Sequence, residues 1–314
     1  MTTYKQKRTW GLPSVFASIG TIVLAMLEAD TTSTAQTRPP RNFDIVTIGP
    51  HMELMVSQLS NMTLGWTGKE AVLVDTGLEW ASQKLIAELR QRNPSGHLTV
   101  INTHWHFDHV GSNAALGKAG ALILAQAKVG PRMAQGGDAV IGQVHLHAEP
   151  VAKSGLPGRV YENKTNVRIK DEEIVIFHPQ HAHTDGDSIV KWTKADVLNM
   201  GDIFVATGFP LLDVQSGGSL EGEIAAIDMG LGVCDSKTIV IPGHGKPSTC
   251  RGLSEYRDRL KAIAGPLQQA IAEGKSLEQV QAMRLADSWK QEMAYFSADD
   301  FIAMAYRGYS ASPR

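Results

Sequence analysis

The residues best equipped for chemistry lie in one short run, Asn102-Thr103-His104-Trp105-His106-Phe107-Asp108-His109-Val110-Gly111. Three imidazoles and one carboxylate between positions 104 and 109 are the ligand types zinc prefers. A polar turn whose histidines cap a helix calls for neither this density nor this mix of groups. Upstream, Leu98-Thr99-Val100-Ile101 reads as a short buried strand; downstream, Ser112 to Gly117 reads as the start of a helix ended by glycine. The run therefore falls on a strand-to-helix turn. His104 and His106, at alternate positions, can aim at one metal, while Asp108 and His109, where the chain turns into the helix, can aim at a neighbour.

This stretch resembles the His-x-His-x-Asp-His signature of the metallo-β-lactamase fold superfamily, and matches to the family's other elements follow in order. A histidine after a strand is matched by His183 in His181-Ala182-His183-Thr184-Asp185-Gly186-Asp187-Ser188. A bridging aspartate is matched by Asp202 in Leu198-Asn199-Met200-Gly201-Asp202, and a histidine in a Pro-Gly-His turn by His244 in Pro242-Gly243-His244-Gly245. Ordered elements spread over about 140 residues are far more specific than any single motif.

The resemblance implies an α/β chain folded as a four-layer αββα sandwich, matching residues 43–250 strongly and the C-terminal helices loosely. It also implies two Zn2+ per chain, with His104, His106 and His183 on the first, Asp108, His109 and His244 on the second, and Asp202 between them. A zinc-bound hydroxide would then be the nucleophile, with no serine or cysteine needed. Asp108 is the implied catalytic residue, orienting that hydroxide or passing its proton. Asp75, in Asp75-Thr76-Gly77, matches an aspartate that orients the first histidine loop; read alone it is a turn residue. His178 and His181 are polar neighbours of His183. The zinc β-lactamases of clinical interest use a cysteine or a differently arranged second site, so a dedicated antibiotic-degrading role is not implied.

The implied activity is hydrolysis of an ester, lactone, thioester or amide, β-lactams included, in a small-molecule carbonyl substrate. Two other readings stay open. One is a glyoxalase II-like thioesterase, although no basic cluster is evident to grip glutathione. The other is an iron-bearing redox member of the same fold, which metal analysis would separate.

A chain of 314 residues with 43% hydrophobic content can bury one large core, and an alternating α/β pattern favours one domain over two. The net charge of −2 has no long basic run behind it, which argues against a nucleic-acid partner. Lys5, Lys7 and Arg8 precede an apolar run from Gly11 to Leu27 and then Ser33-Thr34-Ala35, the order of a secretory signal peptide. Removal of residues 1–35 leaves a mature domain over 36–314, periplasmic or secreted, with no stable membrane insertion. An uncleaved anchor is the competing reading, but Pro13, Ser14 and Ser18 interrupt the run, which falls short of the ~20 residues a span needs. Cys234 and Cys250 flank the His244 strand and turn. In an oxidising compartment they form either a bridge or two inert thiols.

The remaining pattern positions these residues. Runs at 43–48, 54–59, 62–67 and 71–75 predict an antiparallel meander, and Trp80 to Arg92 a helix. A strand at 122–124 and a short helix holding Val129 and Met133 follow. The Gly- and Pro-rich stretch 136–166 reads as a long loop over the site, with His145 and His147 as surface or substrate-contact residues. Strands are predicted at 167–177 (a pair), 188–192 and 197–200, the last delivering Asp202 at its end. The loop 209–219 borders the pocket, a helix covers 220–231, and a strand at 238–241 leads to His244. The C-terminal segment 253–314 is mostly helical, over 253–271, 277–285 and 298–306, with Gly265-Pro266 breaking or kinking the first helix.

Overall fold

The computed structural model describes residues 43–56, 59–94, 96–141, 144–289 and 296–311; the expected signal peptide lies outside the described residues. The first runs form β1 (Asp44–Gly49), β2 (Met52–Val56), β3 (Asn61–Trp66) and β4 (Glu70–Val74), paired as the antiparallel meander their turn residues predict. A 3-10 turn, Glu79–Ala81, leads into α1 (Ser82–Arg92), which buries Leu85 and Leu89 and carries Arg90 and Arg92 near its carbonyl end, where cations are favoured. The chain returns as β5 (His97–Ile101), parallel to β4. Then come α2 (Phe107–Val110), α3 (Asn113–Lys118), β6 (Leu122–Gln126), parallel to β5, and α4 (Val129–Gln135).

The stretch 136–166 is not the long loop expected. It holds a hairpin, β7 (Gly137–Ile141) with β8 (Val144–Ala148), and β9 (Arg159–Tyr161), which adds to β6 as an edge strand. Val140, Ile141 and Val144 give the hairpin arms strand propensity. Strands β7 and β8 pair only with each other among the described residues, outside both main sheets.

The second sheet runs β10 (Lys164–Ile169), β11 (Glu172–Phe177), β12 (Ile189–Trp192), β13 (Val197–Val205), β14 (Ile239–His244) and β15 (Ser248–Thr249). All neighbours are antiparallel except β13 and β14, which are joined through α5 (Leu220–Leu231). Strand β13 runs past Asp202 instead of ending before it, and its register with β14 shifts around Gly201. Gly201 has φ 53°, and a Cβ there would come within 2.8 Å of Thr103. Glycine is what lets this strand pass so close to the histidine loop.

The C-terminal segment forms α6 (Cys250–Ala272), α7 (Leu277–Gln281) and α8 (Ala298–Ala311). Helix α6 is not broken at Gly265-Pro266. Both residues face solvent, so the backbone carbonyl left without a donor by the proline can be hydrated. The helix expected over 277–285 stops at Gln281, and the last one runs on to Ala311.

Four layers result. Leu85, Leu89 and Leu116 of α1 and α3 pack on Leu64, Leu73, Val100 and Ile123 of the first sheet. Between the sheets, Leu54, Val72, Val74, Ile101 and Leu124 meet Ile174, Ile176, Val190, Trp192 and Ile241. On the far side Ile227, Leu260, Leu267 and Phe301 of α5, α6 and α8 cover Leu198, Met200 and Val240. This is the expected αββα sandwich. A polar contact also ties the sheets: Asn199 Nδ2 donates to Thr63 Oγ1 at 2.6 Å, while Asn199 Oδ1 accepts from Trp192 Nε1 of its own sheet at 3.0 Å. No helix among the described residues is long and apolar enough to cross a membrane.

Cys234 and Cys250 are joined as a disulfide with Cα atoms 5.9 Å apart, tying the chain after α5 to the start of α6. Closing a loop of this size stabilises the fold by about 3 kcal/mol. Reduction, or Cys250→Ser, is therefore expected to lower Tm by about 5–10 °C in a thermal melt. Neither cysteine belongs to the metal-type clusters, so metal content should not change. An unchanged Tm would show that the bridge contributes nothing to stability.

Candidate metal centre

The candidate ligands gather where parallel strands end, the usual location of a site in an α/β layer. Strand β4 leads into Asp75, β5 into the loop from Asn102 to His109, and β14 ends at His244, while Asp202 comes from the irregular part of β13. His183 comes from the turn between β11 and β12. There Thr184 N and Oγ1 donate to the buried Asp187 at 2.8 and 2.6 Å, fixing the turn. Burial pushes the Asp187 carboxyl up to about 7, against the Thr184 hydrogen bonds.

All seven expected ligands come together in two groups that could each hold a metal ion. One is His104, His106, His183 and Asp202; the other is Asp108, His109 and His244. In the first, His183 Nε2 and His106 Nδ1 are 2.9 Å apart. In the second, Asp108 Oδ2 lies 3.6 Å from His109 Nε2 and 3.5 Å from His244 Nε2. Asp202 touches both: Oδ1 is 3.1 Å from His109 Nε2, and Oδ2 is 3.0 Å from His244 Nε2 and 3.8 Å from His183 Nε2.

The far nitrogens of the imidazoles are held from outside, which fixes tautomer and ring orientation. His183 Nδ1 donates to the Leu211 carbonyl at 2.6 Å, and His106 Nε2 donates to Asp213 Oδ2 at 3.0 Å. His109 Nδ1 donates to Asp75 Oδ2 at 2.8 Å. The same oxygen accepts from Thr103 Oγ1 at 2.7 Å, and Thr103 Oγ1 lies 3.1 Å from His104 Nδ1. One carboxylate thus orients a histidine in each group. Asp75 is buried beneath the loop as the resemblance implied, in a left-handed conformation with φ 61° that aspartate tolerates better than most residues.

The donor set fits metal ions. His104 Nε2, His109 Nε2 and Asp202 Oδ1 are buried with no hydrogen-bond partner among the described residues, a costly state for polar atoms unless something else binds them. His109 Nε2 and Asp202 Oδ1 lie 3.1 Å apart without hydrogen-bond geometry. Burial pushes the His104 imidazole well below its ordinary value, helped by His109 and His183, and pushes His183 down to about 4, with His106 adding to the effect. Neutral imidazole is the form that binds zinc. Burial also disfavours the charged form of His109, but Asp202, Asp108 and Asp75 outweigh it and hold the ring well above the usual range; a metal would take the place of that proton.

The other histidines whose side chains are described stay outside the clusters. His178 Nδ1 bonds to the Asp187 carbonyl at 2.8 Å and His181 Nδ1 to the Gly217 carbonyl at 3.0 Å, as polar neighbours. His147 is exposed on the hairpin beside Asp138 at 2.6 Å, and the side chain of His145 lies outside what is described. The roles of Asp213 and the Leu211 carbonyl had no local signal. The loop 209–219 was expected only to border the pocket, yet it supports two histidines.

Fold and site together define a metal-dependent hydrolase of the sandwich type. The family model described as "Metallo-beta-lactamase superfamily" matches residues 58–248, and the chain belongs to that superfamily. No curated protein matches it. Among solved structures, a metallo-beta-lactamase from Pontibacter korlensis is similar at 18% identity and TM-score 0.57, over 70% of this chain and 99% of that one. The stereoselective inverting sec-alkylsulfatase Pisa1 from a Pseudomonas species is similar at 17% identity and TM-score 0.66, over 85% of this chain and 50% of that one. The DIM-1 metallo-beta-lactamase follows at 19% identity and TM-score 0.54, over 70% and 97%. At these identities the likeness is one of fold.

Proposed function

We propose that the chain is a dizinc hydrolase cleaving an ester, lactone, thioester or amide bond in a small molecule. The observation that carries this reading is Asp202, a single carboxylate in contact with members of both ligand groups. His104, His106 and His183 would hold one zinc and Asp108, His109 and His244 the other, with Asp202 between. Two zinc ions there would supply Lewis acidity, polarising a carbonyl and acidifying water. Asp75, Thr103, Asp213 and the Leu211 carbonyl keep the ligating nitrogens aimed inward. Asp108, part of the second group, is assigned to orienting the attacking water and accepting its proton. The two cysteines are tied up in the disulfide and offer no competing nucleophile.

The test is metal analysis joined to a substrate panel of esters, lactones, thioesters including one of glutathione, a chromogenic cephalosporin and a secondary alkyl sulfate. Two zincs per chain and chelator-sensitive hydrolysis of a carbonyl substrate are expected. Two irons per chain without hydrolysis would overturn the proposal in favour of the redox reading. Export with loss of residues 1–35 is part of it, supported by a disulfide of the kind oxidising compartments preserve. Periplasmic protein should begin at Gln36, and protein found in the membrane fraction with Met1 in place would refute export.

A further inference from the structure

The two ligand groups are braced from different parts of the chain. In the first, the Leu211 carbonyl and Asp213, both in the loop before α5, hold His183 and His106. The second group is reached from the turn between β2 and β3. Asn61, buried at the start of β3, donates from Nδ2 to the carbonyl of Pro242 at 2.9 Å and to that of Gly245 at 2.8 Å, 181 and 184 positions away. These carbonyls stand on either side of His244. Two carbonyl oxygens can face only the nitrogen of the amide, so its orientation is fixed by its partners and both of its protons are used. The preceding Ser60, also buried, donates from Oγ to the carbonyl of Asp108. One dipeptide therefore grips the backbone at or beside two of the three members of the second group.

The segment that Asn61 holds is tightly seated. A Cβ on Gly243 would come within 1.9 Å of Asp202 Oδ1, and one on Gly245, where φ is 96°, within 2.9 Å of Thr207. The chain thus passes against Asp202 just before His244 and against the residues following β13 just after it. From this seat His244 Nε2 reaches to 3.0 Å from Asp202 Oδ2 and 3.5 Å from Asp108 Oδ2. Movement of the segment would carry the ring away from both carboxylates, and metal ligands depend on such outer partners for their aim.

We infer that Asn61, together with Ser60, is a positioning residue that aims His244 and Asp108, so that the second metal depends on the turn between β2 and β3 and the first does not. This rests on the dizinc reading of the site. It gives the two metals separate supports, with Asp75 and Asp202 common to both.

The test is a zinc titration of the metal-free full chain, followed by long-range 1H–15N spectra of the histidine rings that assign each zinc to its group. In Asn61→Ala the zinc on His109 and His244 should bind about tenfold more weakly, the lower end of what an outer partner costs, while the zinc on His104, His106 and His183 stays within about twofold of wild type. Asn61→Asp keeps the shape but sets an oxygen against both carbonyls, and should weaken the same zinc at least as much. A merely structural role would lower Tm and weaken both zincs alike; that result, or wild-type affinity in either variant, would overturn the inference. Ser60→Ala should weaken the same zinc about threefold, as for one hydrogen bond, and decides the matter if the Asn61 variants do not fold. The metal-free spectra read the link with no metal present: His244 should shift in Asn61→Ala while His106 and His183 keep their wild-type resonances, and an unmoved His244 would count against the inference. If wild type takes up fewer than two zincs, that failure falls on the dizinc reading, and the metal-free spectra alone decide the role of Asn61.

Discussion

Asp202→Asn is expected to leave at most one zinc per chain and to slow the best substrate by at least about a hundredfold, the upper end of what losing even an outer partner costs a metal site. The wild-type carboxylate is buried, which alone would raise its pKa, yet the charges of His244 and His109 hold it well below the usual carboxylate range. It is a fixed negative charge lying 3.0 to 3.8 Å from ring nitrogens of both groups. Asparagine keeps the size and one oxygen but puts an amide N–H₂ where the second oxygen stood, so one ion loses a ligand and both lose the balancing charge. Metal analysis after dialysis, followed by steady-state kinetics, reads both effects. His183→Ala is the useful comparison, because it should strip zinc from the three-histidine group first. Should Asp202→Asn keep two zincs as tightly as wild type and turn over at an unchanged rate, Asp202 is not the bridge, and the chemistry belongs to the three-histidine metal alone.

The seven candidate ligands, which the fold gathers into two groups, could be read in the sequence because each is a residue type with few other reasons to stand at the end of a strand. The histidine run also has a density that no cap or turn demands. The first sheet was legible because β-rich runs are separated by turn residues, Gly49-Pro50, Asn61 and Gly68-Lys69, and the second because Val167 to Phe177 is rich in β-branched residues. What stayed hidden depends on contacts distant in the chain. Asp213 meets His106 across 107 positions, and nothing near either residue announces it. The hairpin of β7 and β8 stands outside both main sheets, so the pattern of neither extends to it. Pro266 reads as a helix breaker until its exposed position shows that the lost hydrogen bond costs little. Whether Cys234 and Cys250 pair depends on a Cα separation, 5.9 Å, that only the fold supplies.

Asp75→Asn should produce the largest loss from any residue outside the ligand set, about ten- to a hundredfold in zinc affinity and felt at both ions. The breadth follows from what the carboxylate holds. Its Oδ1 accepts from Thr103 N at 2.8 Å, while Oδ2 accepts from His109 Nδ1 and from the Thr103 hydroxyl that lies against His104. An amide cannot reproduce this in either orientation. With its oxygen toward His109, its N–H₂ faces the Thr103 N–H, donor against donor. With its nitrogen toward His109, it favours the tautomer protonated at Nε2, the nitrogen that must be bare to bind metal. Asparagine tolerates the left-handed backbone at this position, so the fold should survive and the loss can be assigned to the lost acceptor. Asp75→Ala adds backbone strain and leaves three donors unpaired, at about 1–3 kcal/mol for each that water cannot reach. Denaturant melts of the metal-free proteins should therefore rank wild type above Asn and Asn above Ala, while zinc titrations should separate wild type from both. If the Asn variant binds two zincs with affinities within about twofold of wild type, the orientation of His104 and His109 does not depend on Asp75, and the packing of the loop between β5 and α2 must hold those rings by itself.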